Sequence, residues 1–196
     1  MVTYLIIVAA ICYLLGSIPF SFLIAFYGRG IDLRYQGEGN VGARNVWHLM
    51  GKNYGVVAAL LDAGKGYGAY LVGRSFNLDL PWLWIAGVAV ILGHGFPLFL
   101  KGRGGKGAAA ALGFLLGLNP FGVLLSGGLM GIFYLISKNF HIALGGGMAA
   151  IPFLWLFLCH RSLEETLSTI GFLLLLGVKR LIDEPHMKKI REISGW

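Results

Sequence analysis

Charge is what this chain has least of. Only 13% of its 196 residues are Asp, Glu, Lys or Arg, about half the share usual in a soluble domain. A surface so poor in charge excludes an ordinary water-soluble fold. Acidic residues are the scarcer sign, 9 against 16 basic ones. Two cysteines, Cys12 and Cys159, exclude a disulfide scaffold. They lie in or beside apolar runs without metal-ligand spacing, and read as small apolar fillers. The five histidines show no metal-ligand pairing either. No metal and no cofactor is expected. The first apolar run, Val2 to Tyr27, has no basic residue ahead of it and is too long for a cleaved leader. It reads as a retained membrane span, interrupted at Gly16-Ser17-Ile18-Pro19.

What the chain has in quantity is apolar surface and glycine. Hydrophobic residues make up 57%, glycines number 31, and the mean hydropathy is +0.74. Small residues let membrane helices approach closely. The expected fold is all-α: a polytopic membrane helix bundle of about seven transmembrane helices in a single domain, 1–196. A helix crosses the hydrocarbon in roughly 20 residues. The candidate spans are 3–26, 54–73, 81–100, 107–118, 120–136, 140–159 and 163–178, of which the fourth is clearly short and the fifth and seventh slightly so, which leaves five or six spans open if the short pieces are re-entrant. No internal repeat or low-complexity tract divides the chain.

Basic residues test this reading. With seven spans and the N-terminus outside, 13 bases fall on inner segments and only Arg74 and Arg161 on outer loops, with Lys65 inside the second span. Bases concentrate on the cytoplasmic side of membrane proteins. The N-terminus is therefore expected outside, the C-terminus in the cytoplasm, and the polar segments on the cytoplasmic face of a bacterial inner membrane. The net charge of +7 needs no nucleic acid, and none is expected as a partner.

Three inner segments hold nearly all the polar content. The first, Gly28 to Asn53, reads as the one long loop and contains Gly37-Glu38-Gly39-Asn40-Val41-Gly42-Ala43-Arg44-Asn45. The second is Lys101-Gly102-Arg103-Gly104-Gly105-Lys106-Gly107. It opens into an Ala-rich helix, so backbone N–H groups, a helix N-terminus and the Lys106 ammonium converge there as a candidate phosphate cradle. The alternative is a basic loop that only touches lipid headgroups. The third is the tail from Lys179 onward. Gly102 to Gly107 and Gly37 to Gly42 both fit G-x-G-x-x-G, but neither follows a strand. A P-loop would need Gly where Leu100 stands and Ser or Thr where Gly107 stands, so nucleotide binding is rejected.

Within the spans, Asp62 and Lys65 share a helix face at i and i+3 and can neutralise each other. A structural ion pair is the simpler role for Asp62. His94, in Gly93-His94-Gly95-Phe96-Pro97, reads either as a hydrogen-bonded packing residue or as a functional one.

These pieces in this order resemble the bacterial integral-membrane acyl-phosphate:glycerol-3-phosphate acyltransferases. The resemblance rests on Gly16-Ser17-Ile18-Pro19, Asp32-Leu33-Arg34, the run Gly37 to Asn45, Asp62-x-x-Lys65-Gly66, Gly93-His94-x-x-Pro97-x-Phe99 and Gly104-Gly105-Lys106-Gly107. It implies seven spans, a cytoplasmic active site, and transfer of a fatty acyl group from acyl-phosphate to the 1-hydroxyl of glycerol 3-phosphate. Lysophosphatidic acid, an early product of phospholipid synthesis, would result. Catalytic roles are expected for Lys106 and His186, and also for Glu38 and Arg44, which stand where the family has other residues. The resemblance implies phosphate contacts from Gly37, Gly39, Asn40, Asn45, Gly104, Gly105, Gly107, Lys65 and His94. The partners implied are the two substrates and membrane lipid; the oligomeric state is open. The chain departs from the family's pattern, which has Ser at Glu38, Thr at Arg44, Arg at His48 and Asn at Lys189. If Asn40 begins a short helix, Arg44 and His48 share one of its faces. Glu38 then either pairs with Arg44 or acts as a base on the acceptor hydroxyl. Two alternatives stay open: a paralogue acylating another small acceptor, and a non-catalytic scaffold or transporter.

Overall fold

The computed structural model describes residues 1–195, and among these every regular element is a helix. The helices are α1 (Val2–Ser17), α2 (Phe20–Arg29), α3 (Ala43–Met50), α4 (Lys52–Ser75), α5 (Trp84–Gly95), α6 (Ala108–Leu118), α7 (Pro120–Ser137), α8 (Phe140–Phe157) and α9 (Leu163–Ser194). A 3₁₀ turn, Leu98–Leu100, follows α5. Three stretches are long and apolar enough to cross a bilayer: Val2–Arg29, Pro120–Ser137 and Phe140–Phe157. Trp84–Leu100 and Ala108–Leu118 are shorter apolar helices. Of the seven sequence-derived spans, the third contracts most, because Pro97 ends the helical backbone and a 3₁₀ turn takes its place.

The chain divides into two compact units. One comprises residues 1–114 with the segment from Leu176 onward; the other is Leu115–Leu175. In the second, α7 and α8 form an antiparallel pair. Asn119 caps α7 by accepting from the Gly122 N–H at 3.1 Å, and Ser126 donates to the Gly147 carbonyl at 2.6 Å across the pair.

The first unit carries the polar segments. α1 packs on α5, and α3 on α4. Glycine sets the closeness of the first contact: a Cβ on Gly16 would strike the Val90 carbonyl, and one on Gly93 the Tyr13 carbonyl. The backbone breaks at Ile18-Pro19, between α1 and α2. That break leaves carbonyls at the end of α1 without helical partners. Lys65 Nζ reaches them from α4, donating to Gly16 O at 2.9 Å and Ile18 O at 3.0 Å. Asp62 Oδ1 lies 3.2 Å from that ammonium, and Asp62 Oδ2 accepts from Ser21 Oγ in the first turn of α2 at 2.9 Å. The cation thus sits at a helix C-terminus and the anion at a helix N-terminus, the arrangement the helix dipoles favour. Both residues are almost fully buried.

The long polar loop expected from Gly28 to Asn53 is not one loop. α2 runs to Arg29, α4 starts at Lys52, and α3 occupies Ala43–Met50 between them. α3 forms because Val46 and Met50 fall on one face and are buried with Ala25, Leu33, Val41, Ala58 and Leu100, a gain of about 1.5–3 kcal/mol for each large side chain. The tail from Lys179 onward is likewise not loose: α9 continues to Ser194, burying Met187 and Ile190.

Candidate active site

Three segments of the first unit converge: residues 30–42, residues 101–107, and the last turns of α9. The first is tied down by Asn45, which is fully buried. Its Oδ1 accepts from the Glu38 N–H at 3.0 Å, and its Nδ2 donates to the carbonyls of Gln36 at 2.9 Å, Asn40 at 3.1 Å and Leu33 at 3.2 Å. Asn45 was expected at a substrate phosphate. Its amide is committed instead to folding the loop. Gly37 and Gly39 both have φ above +60°, where L side chains are strained. Ile190 packs directly over Gly39, so the end of α9 closes on this loop. Asn40 Oδ1 is buried without a hydrogen-bond partner among the described residues.

Glu38 is buried, and Arg44 and His48, one helical turn apart on α3, both face it. Arg44 Nη1 lies 3.1 Å and His48 Nε2 3.5 Å from Glu38 Oε1. The expected pairing of Glu38 with Arg44 is present. The helix that carries the two bases starts at Ala43, with Gly42 as its N-cap, and not at Asn40, because Asn45 holds the Asn40 carbonyl in the loop.

The Gly-rich segment folds differently from the expected cradle. The Gly104 N–H donates to Gly95 O and the Gly105 N–H to His94 O, both at 3.1 Å. Gly102 and Arg103 also spend their N–H groups within the turn. The N–H groups of Lys106 and Gly107 make no backbone hydrogen bond among the described residues, and they lead into the start of α6. The N–H groups of this segment not taken by backbone carbonyls are therefore those of Lys106 and Gly107 at the start of α6, whereas Gly104 and Gly105 have spent theirs. Gly105 is required for another reason: a Cβ there would strike His94 Nε2 and the Val41 carbonyl.

Lys106 is half-buried and has no hydrogen bond or ion pair among the described residues. Burial lowers its pKa. Glu38 raises it, Arg180 lowers it, Glu184 raises it and Arg44 lowers it. The ammonium thus sits among charges from α3, α9 and the Glu38 loop. Lys65, by contrast, was expected at a phosphate but has its donors on Gly16 and Ile18 and its charge on Asp62.

Beside this cluster lies a cavity of about 170 Å³ lined by Arg34, Arg103, Asp183, His186, Gly39 and Gly104, among others. Arg34 binds Asp32 with two nitrogens, Nε to Oδ1 at 3.0 Å and Nη2 to Oδ2 at 2.6 Å. Burial works to raise the Asp32 pKa, but these bonds hold it below the usual carboxylate range. Arg103 donates to Tyr35 Oη at 3.1 Å. His186 Nε2 lies 2.8 Å from the Arg34 carbonyl, which fixes the ring at the cavity wall. Tyr35, Arg180, Asp183 and Glu184 were not singled out from sequence, and Arg34 and Arg103 entered only as members of the Asp32-Leu33-Arg34 motif and the Gly-rich segment. The signal for the α9 residues was there: Lys179, Asp183, Met187 and Ile190 recur at helical spacing, and Lys179 pairs with Asp183. No group of three or more metal-ligating side chains occurs among the described residues.

The chain is similar to known proteins along most of its length. The family model described as glycerol-3-phosphate acyltransferase matches residues 6–194. A glycerol-3-phosphate acyltransferase of Desulforamulus reducens is 45% identical over 125 residues, 63% of this chain and 61% of that protein. One from Geobacter sulfurreducens is 42% identical over 118 residues, 60% of each chain. The matched regions thus span about three fifths of these relatives' length. The fold is similar to PlsY (YgiH), described as an integral membrane glycerol 3-phosphate acyltransferase and solved in a glycerol 3-phosphate form, with a TM-score of 0.81 and 32% identity over 97% of this chain and 92% of that one. A lysophosphatidic acid form of the same protein gives a TM-score of 0.80 at 31% identity. On the match from residue 6 to residue 194, this chain belongs to the glycerol-3-phosphate acyltransferase family.

Proposed function

We propose that this chain acylates glycerol 3-phosphate, with acyl-phosphate as donor and lysophosphatidic acid and inorganic phosphate as products. One observation carries the reading: Lys106 is a half-buried cation without an ion-pair partner among the described residues, at the start of α6 and beside a basic cavity. A cation in that state is suited to a ligand's negative charge. Acyl-phosphate is an activated anhydride, so its transfer needs charge neutralisation more than strong base catalysis. The 1-hydroxyl oxygen attacks the acyl carbon, the bond from that carbon to the phosphate oxygen breaks, and phosphate leaves. The hydroxyl proton passes to Glu38 when that carboxylate is released from Arg44, or to the departing phosphate.

Lys106, with the N–H groups of Lys106 and Gly107, neutralises the leaving phosphate. The cavity at Arg34, Arg103 and His186 takes the acceptor, whose size suits about 170 Å³. Asn40 Oδ1, buried and unpartnered, is placed to accept from a substrate hydroxyl. The site faces the cytoplasm of a bacterial inner membrane, with the N-terminus outside and the C-terminus inside, because 13 bases would otherwise lie on the wrong side. A second reading, a paralogue with another acceptor, rests on Glu38 itself: it already engages Arg44 and faces His48, so two substrate phosphates would have to compete with its carboxylate for those bases.

The test is radiolabelled transfer by purified protein, with acyl-phosphate as donor and a panel of acceptors. Labelled lysophosphatidic acid from glycerol 3-phosphate is the expected product. A protein inert with glycerol 3-phosphate but active on another acceptor would replace this reading with the second.

A further inference from the structure

His94 lies at the centre of the first unit, 7% exposed, and touches three things at once. Its Nδ1 faces Asp62 Oδ1 at 3.7 Å, and neither atom has a hydrogen-bond partner among the described residues. Its Nε2 edge packs on Gly105, so closely that Gly105 has no room for a Cβ. Its carbonyl accepts the Gly105 N–H at 3.1 Å. The residue after Gly105 is Lys106. Asp62 in turn is fixed by Ser21 on α2 and by Lys65 at the break after α1. A cavity of about 10 Å³ adjoins Asp62, His94, Gly105 and Val41, about the room one water needs.

We propose that His94 is a positioning residue, a strut that transmits the fixed height of the Asp62–Lys65 pair to Gly105 and thereby sets where the Lys106 ammonium stands. The imidazole does not touch substrate. Asp62 orients the ring across the short polar gap, directly or through a single water. The ring's far edge bears on the Gly105 backbone, with the Val41 carbonyl on the other side of that glycine. The strut therefore also spaces the Lys106 segment from the loop that carries Glu38. Backbone hydrogen bonds alone leave such a glycine segment pliable, whereas a buried ring with defined contacts on both edges does not. A misplacement on the order of 1 Å in a catalytic group costs up to about a hundredfold in rate, which is why a residue remote from substrate controls turnover.

The test uses full-length purified protein in detergent and two readouts. The first is hydrogen exchange of the peptide covering 102–108. His94→Ala is expected to raise exchange there at least about tenfold while leaving the α4 segment unchanged. The second rests on the functional reading above. His94→Ala is expected to lower kcat about tenfold or more with KM for glycerol 3-phosphate within twofold. His94→Gln, whose amide reaches the Gly105 edge, is expected to recover part of the loss. Placed in a Lys106→Ala background, His94→Ala should cost less than twofold, since two residues acting through one contact are not additive. If His94→Ala fails to insert, His94→Gln and His94→Asn carry the same comparison. Unchanged exchange at 102–108, or an equal fold-loss in both backgrounds, overturns the proposal. If wild type transfers nothing to glycerol 3-phosphate, the functional reading has failed, and the exchange result still decides on the strut.

Discussion

Lys65 and Lys106 are both lysines of the first unit, and they are used in opposite ways. Lys65 is buried, with two carbonyls within 3.0 Å and a carboxylate at 3.2 Å. Lys106 is half-buried and has neither hydrogen bond nor ion pair among the described residues. A charge taken out of water must be compensated. At Lys65 the protein supplies that compensation through direct contacts, whereas at Lys106 it supplies only the field of Glu38 and Glu184, and in the proposed function a substrate phosphate supplies the contact. The contrast separates a cation that holds helices together from one available to a ligand.

The sharpest break in the comparison is at Lys65. Lys65→Met strands Asp62 as an unpaired buried charge and uncaps α1, so a destabilisation of about 3–5 kcal/mol is expected. It would be read as loss of monodisperse, folded protein on heating in detergent. Changing the pair together, Asp62→Asn with Lys65→Met, should recover a large part of it. If the single Lys65 variant stays as stable as wild type and loses only activity, Lys65 belongs with Lys106.

A smaller effect is expected from Asn45→Ala. It removes the acceptor of the Glu38 N–H and the donor to three carbonyls, and leaving buried backbone groups unpaired costs about 1–3 kcal/mol. The checks are melting temperature together with hydrogen exchange at residues 33–40. Activity lost without added exchange in that loop would return Asn45 to the substrate.

The smallest effect concerns pH. Burial depresses the Lys106 pKa and Glu38 works against that depression. Transfer should therefore fall on the alkaline side below the ordinary lysine range, as Lys106 loses its proton with rising pH. Glu38→Gln removes the charge that opposes this depression most, so its alkaline limb should move to lower pH in a kcat/KM profile. A limb moving to higher pH would contradict the assigned surroundings of Lys106.

The comparison also marks what was legible in the sequence. The apolar runs, the break at Gly16 to Pro19 and the Asp62–Lys65 pair follow from composition and i, i+3 spacing, and each has a counterpart in the structure. The pairing of Glu38 with Arg44 was among the readings on offer. α3 entered only as a conditional short helix beginning at Asn40, because its buried face is short and shared with Arg44 and His48; the structure starts it at Ala43. The Gly104 and Gly105 donors were misread because spacing shows which N–H groups exist but not which carbonyls lie opposite them. His94 and Gly95, about ten residues away, use those two up. Arg180 and Glu184 escaped notice because in a basic inner segment each charge looks like its neighbours until helix α9 is seen to place these two near Lys106.

The difference between the two lysines is tested most directly by Lys106→Ala, with acyl transfer and thermal stability measured on the same purified sample. A charge-assisted contact to phosphate is worth about 1.5–3 kcal/mol, so the expected result is at least about a tenfold loss of transfer with an unchanged melting temperature. Transfer within twofold of wild type, or a fall in stability like that expected for Lys65→Met, would contradict it.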